Sequence, residues 1–341
     1  MRKPLLVVLV VVLLISLTPI LRAQALSCKA QVVCSIYSLY NAYCIPALPP
    51  GAYNCQGNGP WSAICDIPTY QCSPAPCPSC NGASGGGPID LASGNTDIAQ
   101  ADIRLPGLGG GLTLARTWNS QNPAVGIFGV GWTSNVEEQV YLGADNLIKH
   151  SRSDGSIWSF GFSSYGTDNS TAIYLLAGPR NGSVTAQVDA TKWTLVTKSG
   201  EQKTFDRATG VLLSSTDRNG NSTSYSYDSS NRLVTVTDPA ARHLNFSYTI
   251  YMVGGFSVSL VTGVSSDFGT ALSYQYDTAG RLVKVTKPDN TFVTFEYAFA
   301  NFITAVKDSD GKVLEAHTYD AQGRGLTSAK AGGVEAITVS Y

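Results

Sequence analysis

From residue 88 onward, short stretches of alternating apolar and polar residues are separated by turn residues. Ser156–Phe160 (SIWSF) and Lys192–Val196 (KWTLV) are two examples, and this period of two is typical of strands with one buried face. The pairs Asp154-Gly155 and Asn219-Gly220 tolerate the positive φ angles of tight hairpin turns. Since no window sustains an amphipathic helix, the pattern predicts an all-β fold built from hairpins.

An internal repeat runs through residues 201–341. The motif Tyr-Asp-x-x-(Gly/Asn)-Arg occurs at Tyr227–Arg232, Tyr276–Arg281 and Tyr319–Arg324. Related aromatic positions define a series of repeat anchors, which are Phe205, Tyr227, Tyr248, Tyr276, Tyr297, Tyr319 and Tyr341. Their spacings are 22, 21, 28, 21, 22 and 22 residues, so the long interval holds an insertion near residues 251–256. Each unit is long enough for two strands and two turns, which predicts stacked hairpins that bury a continuous face.

These motifs resemble a known family. Tyr276–Leu282 (YDTAGRL), continued by Val285–Asp289 (VTKPD), looks like the YD repeat of bacterial Rhs proteins. Four upstream segments resemble the domain that precedes those repeats, namely Pro88–Gly94, Leu105–Gly107, Leu114–Ser120 and Phe128–Trp132. Over residues 88–341, the resemblance implies a spiral of β-hairpins forming a hollow shell, often around a C-terminal toxin that is released by cleavage at a core motif.

The chain also departs from that family pattern. It carries about six repeat units, and up to Tyr341 it shows neither the core cleavage motif nor a toxin domain. A short stand-alone member, a truncated gene product and one part of a larger shell all remain open as interpretations.

The N-terminus has the pattern of an export signal. Met1–Pro4 is basic, Leu5–Ile15 is apolar, and Ala23–Ala25 has the small-x-small form that signal peptidase reads. We expect cleavage after Ala25 and a secreted or cell-envelope location in a bacterium. The alternatives are an uncleaved membrane anchor, which Pro19 disfavours, and a lipid anchor on Cys28.

All eight cysteines lie in residues 26–80, at positions Cys28, Cys34, Cys44, Cys55, Cys65, Cys72, Cys77 and Cys80. Because export places them in an oxidising compartment, we expect a disulfide-stapled minidomain, and sequence leaves the pairing open. A zinc site on the last four is the alternative, although only Cys77 and Cys80 have knuckle spacing. Aromatic residues between 37 and 70 are interpreted as its core, with a sugar- or peptide-binding surface as the alternative.

The predicted domains are a signal peptide (1–25), the cysteine-rich minidomain (26–80), a Gly/Ser linker (81–87), an Rhs N-terminal-like β domain (88–200) and the YD-repeat region (201–341). Removal of Arg2, Lys3 and Arg22 from the 23 basic residues leaves 20 against 24 acidic ones. This balance builds no broad cationic surface, so nucleic acid is not an expected partner.

No catalytic residue, metal site or cofactor is assigned from the sequence. His150, His243 and His317 are far apart and lack a motif around them. Gly82–Gly86 matches the nucleophile-elbow string but lies in a glycine-rich linker. Asp217–Asn221 and Asp308–Gly311 could present oxygens to calcium, but hairpin turns are the favoured interpretation because flanking helices and a full ligand set are absent.

The charged residues of the repeats are expected to pair with one another. The basic members are Lys203, Arg207, Arg232, Arg281 and Arg324, and the acidic members are Asp206, Asp228, Asp277 and Asp320. Exposed pairs of this kind contribute about 0–1 kcal/mol each, so we assign them a structural role.

The sequence thus favours an exported, non-catalytic YD-repeat scaffold for binding or assembly at the cell envelope or outside the cell. A truncated part of an Rhs toxin-delivery shell is the first alternative, and a secreted carbohydrate-active enzyme is the second. Expected partners are a glycan or a protein. We expect this chain to have no transmembrane span after signal cleavage. The strand-like segment Ala336–Tyr341 could pair with a partner or a second copy through its free edge.

Overall fold

The computed structural model of the protein describes residues 30–35, 53–57, 62–67, 89–91, 93–167, 169–176, 184–298 and 301–341. The chain divides into two compact units, Met1–Ser73 and Pro74–Tyr341. The predicted signal peptide, the predicted linker and five of the eight cysteines lie outside the described residues.

The first unit contains a three-stranded antiparallel sheet. Its strands are β1 (Ala30–Ser35), β2 (Tyr53–Gly57) and β3 (Ser62–Ile67), with β3 in the middle. Cys34 lies on β1 opposite Ala63 of β3. The disulfide framework predicted for this region remains a prediction.

The second unit is also built from strands. Two 3₁₀ turns, Leu108–Gly110 and Ala331–Gly333, are the helical elements in its described part. The strands are β4 (Asp97–Leu105), β5 (Leu112–Asn119), β6 (Val125–Gly126), β7 (Gly129–Val130), β8 (Trp132–Ser134), β9 (Gln139–Leu142), β10 (Ile148–Ser151), β11 (Ile157–Tyr165), β12 (Ala172–Leu176), β13 (Val184–Val188), β14 (Lys192–Thr197), β15 (Gln202–Asp206), β16 (Leu212–Thr216), β17 (Ser222–Tyr227), β18 (Leu233–Thr237), β19 (His243–Val253), β20 (Phe256–Ser266), β21 (Ala271–Tyr276), β22 (Leu282–Thr286), β23 (Phe292–Tyr297), β24 (Ile303–Asp308), β25 (Val313–Tyr319), β26 (Gly325–Lys330) and β27 (Val334–Thr338).

One long antiparallel sheet dominates the second unit. It runs from β9 to β27, and each strand pairs with the next strand along the chain. The predicted all-β, repeat-built fold with an open sheet is therefore confirmed. The sheet continues without interruption across residue 200, where the sequence predicted a domain boundary.

Several hairpin turns, including those of the repeat motif, use a single residue with positive φ. In the turn after Asp217, Gly220 has φ 85° and its N–H donates to the Asp217 carbonyl oxygen. The same arrangement recurs at Asp277, where Gly280 has φ 74°. A type I turn followed by one left-handed residue fits these contacts, and glycine occupies that position without a Cβ penalty.

The first strands of the sheet curl back on themselves. Gln139 at the start of β9 forms an isolated antiparallel bridge with Val211, and the N–H of Val140 donates to the Gly210 carbonyl oxygen at 3.0 Å. The curl encloses a hydrophobic cluster that includes Phe160 and Phe205, both fully buried.

A smaller sheet of β4, β5 and β8, with β5 in the middle, packs against the repeats and forms a second hydrophobic cluster with β18–β24. Trp132 of β8 contacts Phe295 of β23 with ring centroids 5.1 Å apart, and Phe128 contacts Tyr274 of β21 at 5.0 Å. No helix in the described part of the chain has the length and hydropathy needed to cross a membrane.

Candidate functional site

The repeat anchors mark irregular positions in the long sheet. At each anchor from Phe205 to Tyr319 the strand pairing shifts register, for example between Gln275 and Tyr276. Such a bulge bends the strand and increases its twist. The aromatic ring of each anchor therefore lies at a bend in its strand.

The six anchor tyrosines form a ladder of hydrogen bonds between successive repeats, which we call the tyrosine ladder. Each hydroxyl donates to the backbone carbonyl of the residue that pairs with the preceding anchor; Tyr297, for example, donates to Leu282, which pairs with Tyr276. The donor–acceptor pairs are Tyr227 to Leu212 (2.7 Å), Tyr248 to Leu233 (2.8 Å), Tyr276 to Val261 (2.7 Å), Tyr297 to Leu282 (2.9 Å), Tyr319 to Ile303 (2.8 Å) and Tyr341 to Gly325 (3.0 Å).

Burial keeps the ladder hydroxyls protonated. It raises the pKa of Tyr227, Tyr248 and Tyr319 above the ordinary tyrosine value. The pKa of Tyr276 is raised in the same way. These hydroxyls are therefore hydrogen-bond donors throughout the physiological range, which suits a permanent contact.

The aspartate after the tyrosine organises the turn. Oδ1 of Asp277 accepts the N–H groups of Ala279 (2.9 Å) and Arg281 (3.0 Å), while Oδ2 accepts Nε of Arg281 at 2.6 Å. The same contacts recur at Asp228 and Asp320. At Asp228, backbone hydrogen bonds and the Arg232 guanidinium lower the pKa of the carboxyl group, so the carboxylate form is favoured.

The arginine that ends each turn also contacts the next anchor. Arg281 lies over the ring of Tyr297 at 4.9 Å, and Arg324 lies over the ring of Tyr341 at 4.2 Å. Arg232 lies over Tyr248 at 5.6 Å. One guanidinium therefore joins its own turn to the following repeat through a cation–π contact.

The predicted pairing of charges holds for three arginines and is wrong for two other basic residues. Lys203 pairs with Glu138, at 2.6 Å, rather than with a repeat aspartate. Arg207 donates to the Asp189 carbonyl oxygen at 2.8 Å. For Lys203 the reason is the curl of the sheet, which brings Glu138 to β15 from 65 residues away. For Arg207 the reason is the pairing of β14 with β15, which places Arg207 beside the turn that contains Asp189.

Glu138, His150 and Lys203 form a cluster at this seam, which we call the seam cluster; Glu138 and His150 are buried, whereas the Lys203 side chain is 36% exposed. Nε2 of His150 lies 2.8 Å from Glu138, and Glu138 is 4% exposed. Burial alone would raise the pKa of Glu138, but the contacts with His150 and Lys203 outweigh it and lower that pKa to about 2. Burial lowers the pKa of His150, which keeps the imidazole neutral.

A second buried cluster joins the small sheet to the repeats, and we call it the plug cluster. The Arg116 guanidinium, 1% exposed, donates to both oxygens of Asp102, and the Tyr274 hydroxyl donates to Asp102 at 2.8 Å. Arg116 also lies 4.5 Å from the ring centroid of Trp132. Burial alone would lower the pKa of Arg116, yet the Asp102 charge prevails and raises it.

The seam also borders a cavity of about 100 Å³, lined partly by Glu137, Glu138, Tyr227 and Arg232. This volume is well below the roughly 300–1,000 Å³ of sites that hold drug-sized ligands. Glu137 Oε2 accepts the N–H of Ile127 at 3.0 Å, and burial raises the pKa of this carboxyl to about 7.

The three histidines lie in different environments. His150 belongs to the seam cluster, whereas His243 is at the start of β19, with Nδ1 2.9 Å from Asp267. His317 of β25 is buried opposite Ser328 of β26. Each of the three histidines therefore has different neighbours, and they do not lie together in one nucleophile–base arrangement.

The two acidic segments considered for calcium form hairpin turns. Oδ1 of Asp217 accepts the N–H groups of Asn219 and Asn221, and Oδ1 of Asp308 accepts those of Asp310 and Lys312. These carboxylates thus face their own backbone. Within the described ranges, no group of three or more His, Cys, Asp and Glu side chains could hold a metal ion.

Comparison with protein families gives two matches. Residues 86–160 match a domain of unknown function, DUF6531. Residues 205–243 and 259–291 match the RHS repeat. The second match covers the tyrosine ladder around Tyr227 and Tyr276.

Among characterised proteins, the tRNA nuclease WapA of Bacillus subtilis is 29% identical over 148 residues. The tRNA3(Ser)-specific nuclease WapA of Bacillus spizizenii matches to the same extent. Each alignment covers 43% of this chain and 6% of the relative, so the chain spans only a small part of the length of these proteins.

Among solved structures, the crystal structure of TcdB2-TccC3-Cdc42 aligns with 58% of this chain and 12% of that chain, at 12% identity and a TM-score of 0.28. A structure of the Photorhabdus luminescens Tc holotoxin pore aligns with 69% of this chain and 17% of that chain, at 12% identity and a TM-score of 0.25.

Proposed function

This chain belongs to the Rhs-repeat family, and we propose that its repeats form a non-catalytic scaffold for binding or assembly, exported to the cell envelope or beyond it. The tyrosine ladder carries this proposal. The residues that define the repeat, Tyr, Asp and Arg, contact one another and the backbone, so their recurrence is accounted for by stacking rather than by a reaction.

The buried charged groups support the same interpretation. The plug cluster joins β5 to β21, and the seam cluster joins β10 to β15. In the plug cluster the charges face each other inside the protein, and in the seam cluster the buried Glu138 carboxylate is paired with His150 and with the half-exposed Lys203. A general acid or base instead needs access to a substrate within hydrogen-bond reach.

A turnover screen tests the non-catalytic proposal. The full chain is incubated with tRNA, because the WapA relatives are named tRNA nucleases, and with a panel of polysaccharides. We expect no product above that of a heat-unfolded control. Cleavage of tRNA or release of sugar by the folded chain would contradict the proposal, and a glycan array on the same preparation tests the binding role.

Export is tested on protein collected outside the producing cell. We expect an N-terminus at Leu26 and, by alkylation with and without reduction, four protected cysteine pairs among the eight cysteines. A lipid-modified Cys28, free thiols in fresh protein or one zinc per chain would contradict this part of the proposal.

A second candidate is that the repeats are one part of a larger Rhs toxin-delivery shell. The WapA alignment supports this idea, since it covers only 6% of that protein. In the described residues, β27 pairs with β26 through one edge. The N–H of Val339 donates to Leu326, so by strand alternation the N–H of Thr338 points away from β26 and is available to a further strand.

Thr338→Pro tests pairing through this edge. Proline removes the outward N–H, whereas Thr338→Ala keeps it and serves as the matched control. If a further strand or a second copy pairs here, light scattering will show association for the wild type and Thr338→Ala and its loss in Thr338→Pro. A wild type that stays monomeric at high concentration and captures no secreted partner would contradict the pairing.

A further inference from the structure

The hairpin of β19 and β20 is unlike the others in the long sheet. Its strands have 11 residues each, whereas the neighbouring strands β18 and β21 have 5 and 6. The extra length accounts for the 28-residue interval between Tyr248 and Tyr276. Since β18 pairs only with residues 243–245 and β21 only with residues 263–265, the rest of the hairpin extends beyond its neighbours.

The end of this hairpin presents apolar side chains to solvent. Ile250 is 67% exposed, Met252 60% and Phe256 45%. Gly254 and Gly255 make the turn with positive φ, and a Cβ added to either would meet no atom within 4 Å. We call residues 250–256 the apolar tip; its turn and its exposed side chains face open space.

One side of the hairpin, including part of the apolar tip, packs against its surroundings. The ring of Tyr251 contacts that of Tyr276 at 5.3 Å, and Val253 lies directly against Gly280. The N–H of Val261 donates to the Ile127 carbonyl oxygen at 2.8 Å. The tip is thus held out by contacts on one side of the hairpin, so that its exposed side chains are preorganised for a partner.

The charge pattern indicates what kind of partner fits. From 244 to 266 the sequence contains no Asp, Glu, Lys, Arg or His. Protein interfaces draw specificity from complementary charges, and their energetic centres are enriched in Trp, Tyr and Arg. The exposed side chains of the tip, Ile250, Met252 and Phe256, carry neither a charge nor a hydrogen-bonding group that could complement a protein partner, whereas the apolar layer of a bilayer requires no such groups.

We propose that the apolar tip docks the protein on a lipid bilayer by inserting Ile250, Met252 and Phe256 below the headgroups. Insertion to about 5–10 Å, the depth of interfacial segments, accommodates these side chains. Deeper insertion would place the unpaired backbone edges of β19 and β20 in hydrocarbon, where each unsatisfied group is costly. The hairpin therefore docks on the membrane and does not span it.

A tryptophan at the tip reports insertion directly. The full-length Phe256→Trp variant is mixed with neutral phosphatidylcholine vesicles that carry bromine near the headgroup end of the acyl chains. We expect a blue shift and quenching beyond those of the wild type, whose five tryptophans provide the background. No quenching beyond that background would overturn the proposal.

Flotation with the same vesicles identifies the side chains responsible. Ile250→Asp/Met252→Asp should weaken binding about tenfold or more, because a carboxylate is costly in an apolar layer. Leu108→Asp is the matched control, since Leu108 is 63% exposed on a different loop, and it should bind like the wild type. All variants keep Leu5–Ile15, so this apolar segment contributes equally to each of them.

Two other results would contradict bilayer docking. Equal flotation of the wild type and the double Asp variant would assign binding to another part of the chain. Lipid-free sedimentation that shows self-association of the wild type, abolished in the double Asp variant, together with no quenching by brominated lipid, would assign the tip to a protein–protein contact.

Discussion

The curled strands β9–β16 and the repeats that follow belong to one sheet but are stabilised in different ways. The curl depends on contacts that occur once, above all the seam cluster, in which Glu138 and Lys203 are 65 residues apart. The repeats depend on contacts that recur every two strands and span 15 or 16 residues. One end of an open sheet can thus be curled by contacts that occur once, and the rest of the sheet can be extended by a repeated local unit.

The largest loss of stability is expected from a change in the plug cluster, which joins the small sheet to the repeats. Asp102→Ala would leave the Arg116 guanidinium buried and unpaired, so we expect a loss of about 3–5 kcal/mol in the free energy of unfolding. Denaturant titration measures it. Asp310→Ala, at an exposed turn position, is the control and should change stability by less than about 0.5 kcal/mol. A loss below about 1 kcal/mol for Asp102→Ala would mean that the pair does not bear on stability.

The seam cluster should have the next largest effect. Glu138→Gln removes the charge that faces Lys203 and His150, and we expect a loss of about 1.5–3 kcal/mol, typical of hydrogen bonds to charged groups. Asp145→Asn removes the exposed partner of Lys149 and should cost no more than about 1 kcal/mol. Hydrogen exchange should show faster opening of β9 and β10 in Glu138→Gln, while unchanged protection there would argue against a role in closing the curl.

A turn aspartate should have a smaller and local effect. Asp277→Ala removes the acceptor of two N–H groups and of the Arg281 side chain, and we expect a loss of about 1–2 kcal/mol. Because each repeat has its own turn, Asp320→Ala should give a similar loss. Thermal unfolding of the two variants checks this equivalence, and a loss of stability in one variant with none in the other would refute it.

Glu137 should give the smallest effect, and of opposite sign. Its pKa is raised from 4.5 to about 7 in the folded protein, so the stability linked to its protonated form is present below pH 4.5 and is lost as the pH rises through 7. Glu137→Gln should therefore stabilise the protein at pH 8 by less than about 1 kcal/mol, because the residue is only half-buried. No gain at pH 8 relative to pH 4 would contradict the raised pKa.

The same distinction explains what the sequence could predict. The Asp–Arg pairs lie four residues apart and the ladder tyrosines recur at regular spacing. The repeat and its hairpins can therefore be predicted from the sequence alone. The contact of Lys203 with Glu138 follows from the curl, and that of Arg207 follows from the pairing of β14 with β15, which brings Asp189 beside it; neither is visible in the repeat pattern. No sequence pattern indicates the plug cluster, since Asp102 and Tyr274 are 172 residues apart and carry no shared motif.

The central claim is that successive repeats are joined by equivalent tyrosine hydroxyl contacts. Its most direct test is the free energy of unfolding of five single variants, Tyr227→Phe, Tyr248→Phe, Tyr276→Phe, Tyr297→Phe and Tyr319→Phe, with Tyr165→Phe as an exposed control. We expect each ladder variant to lose about 0.5–1.5 kcal/mol, the range of a single hydrogen bond, and the control to lose nothing measurable. A series in which one tyrosine carries the whole effect, or in which all five match the control, would contradict the claim.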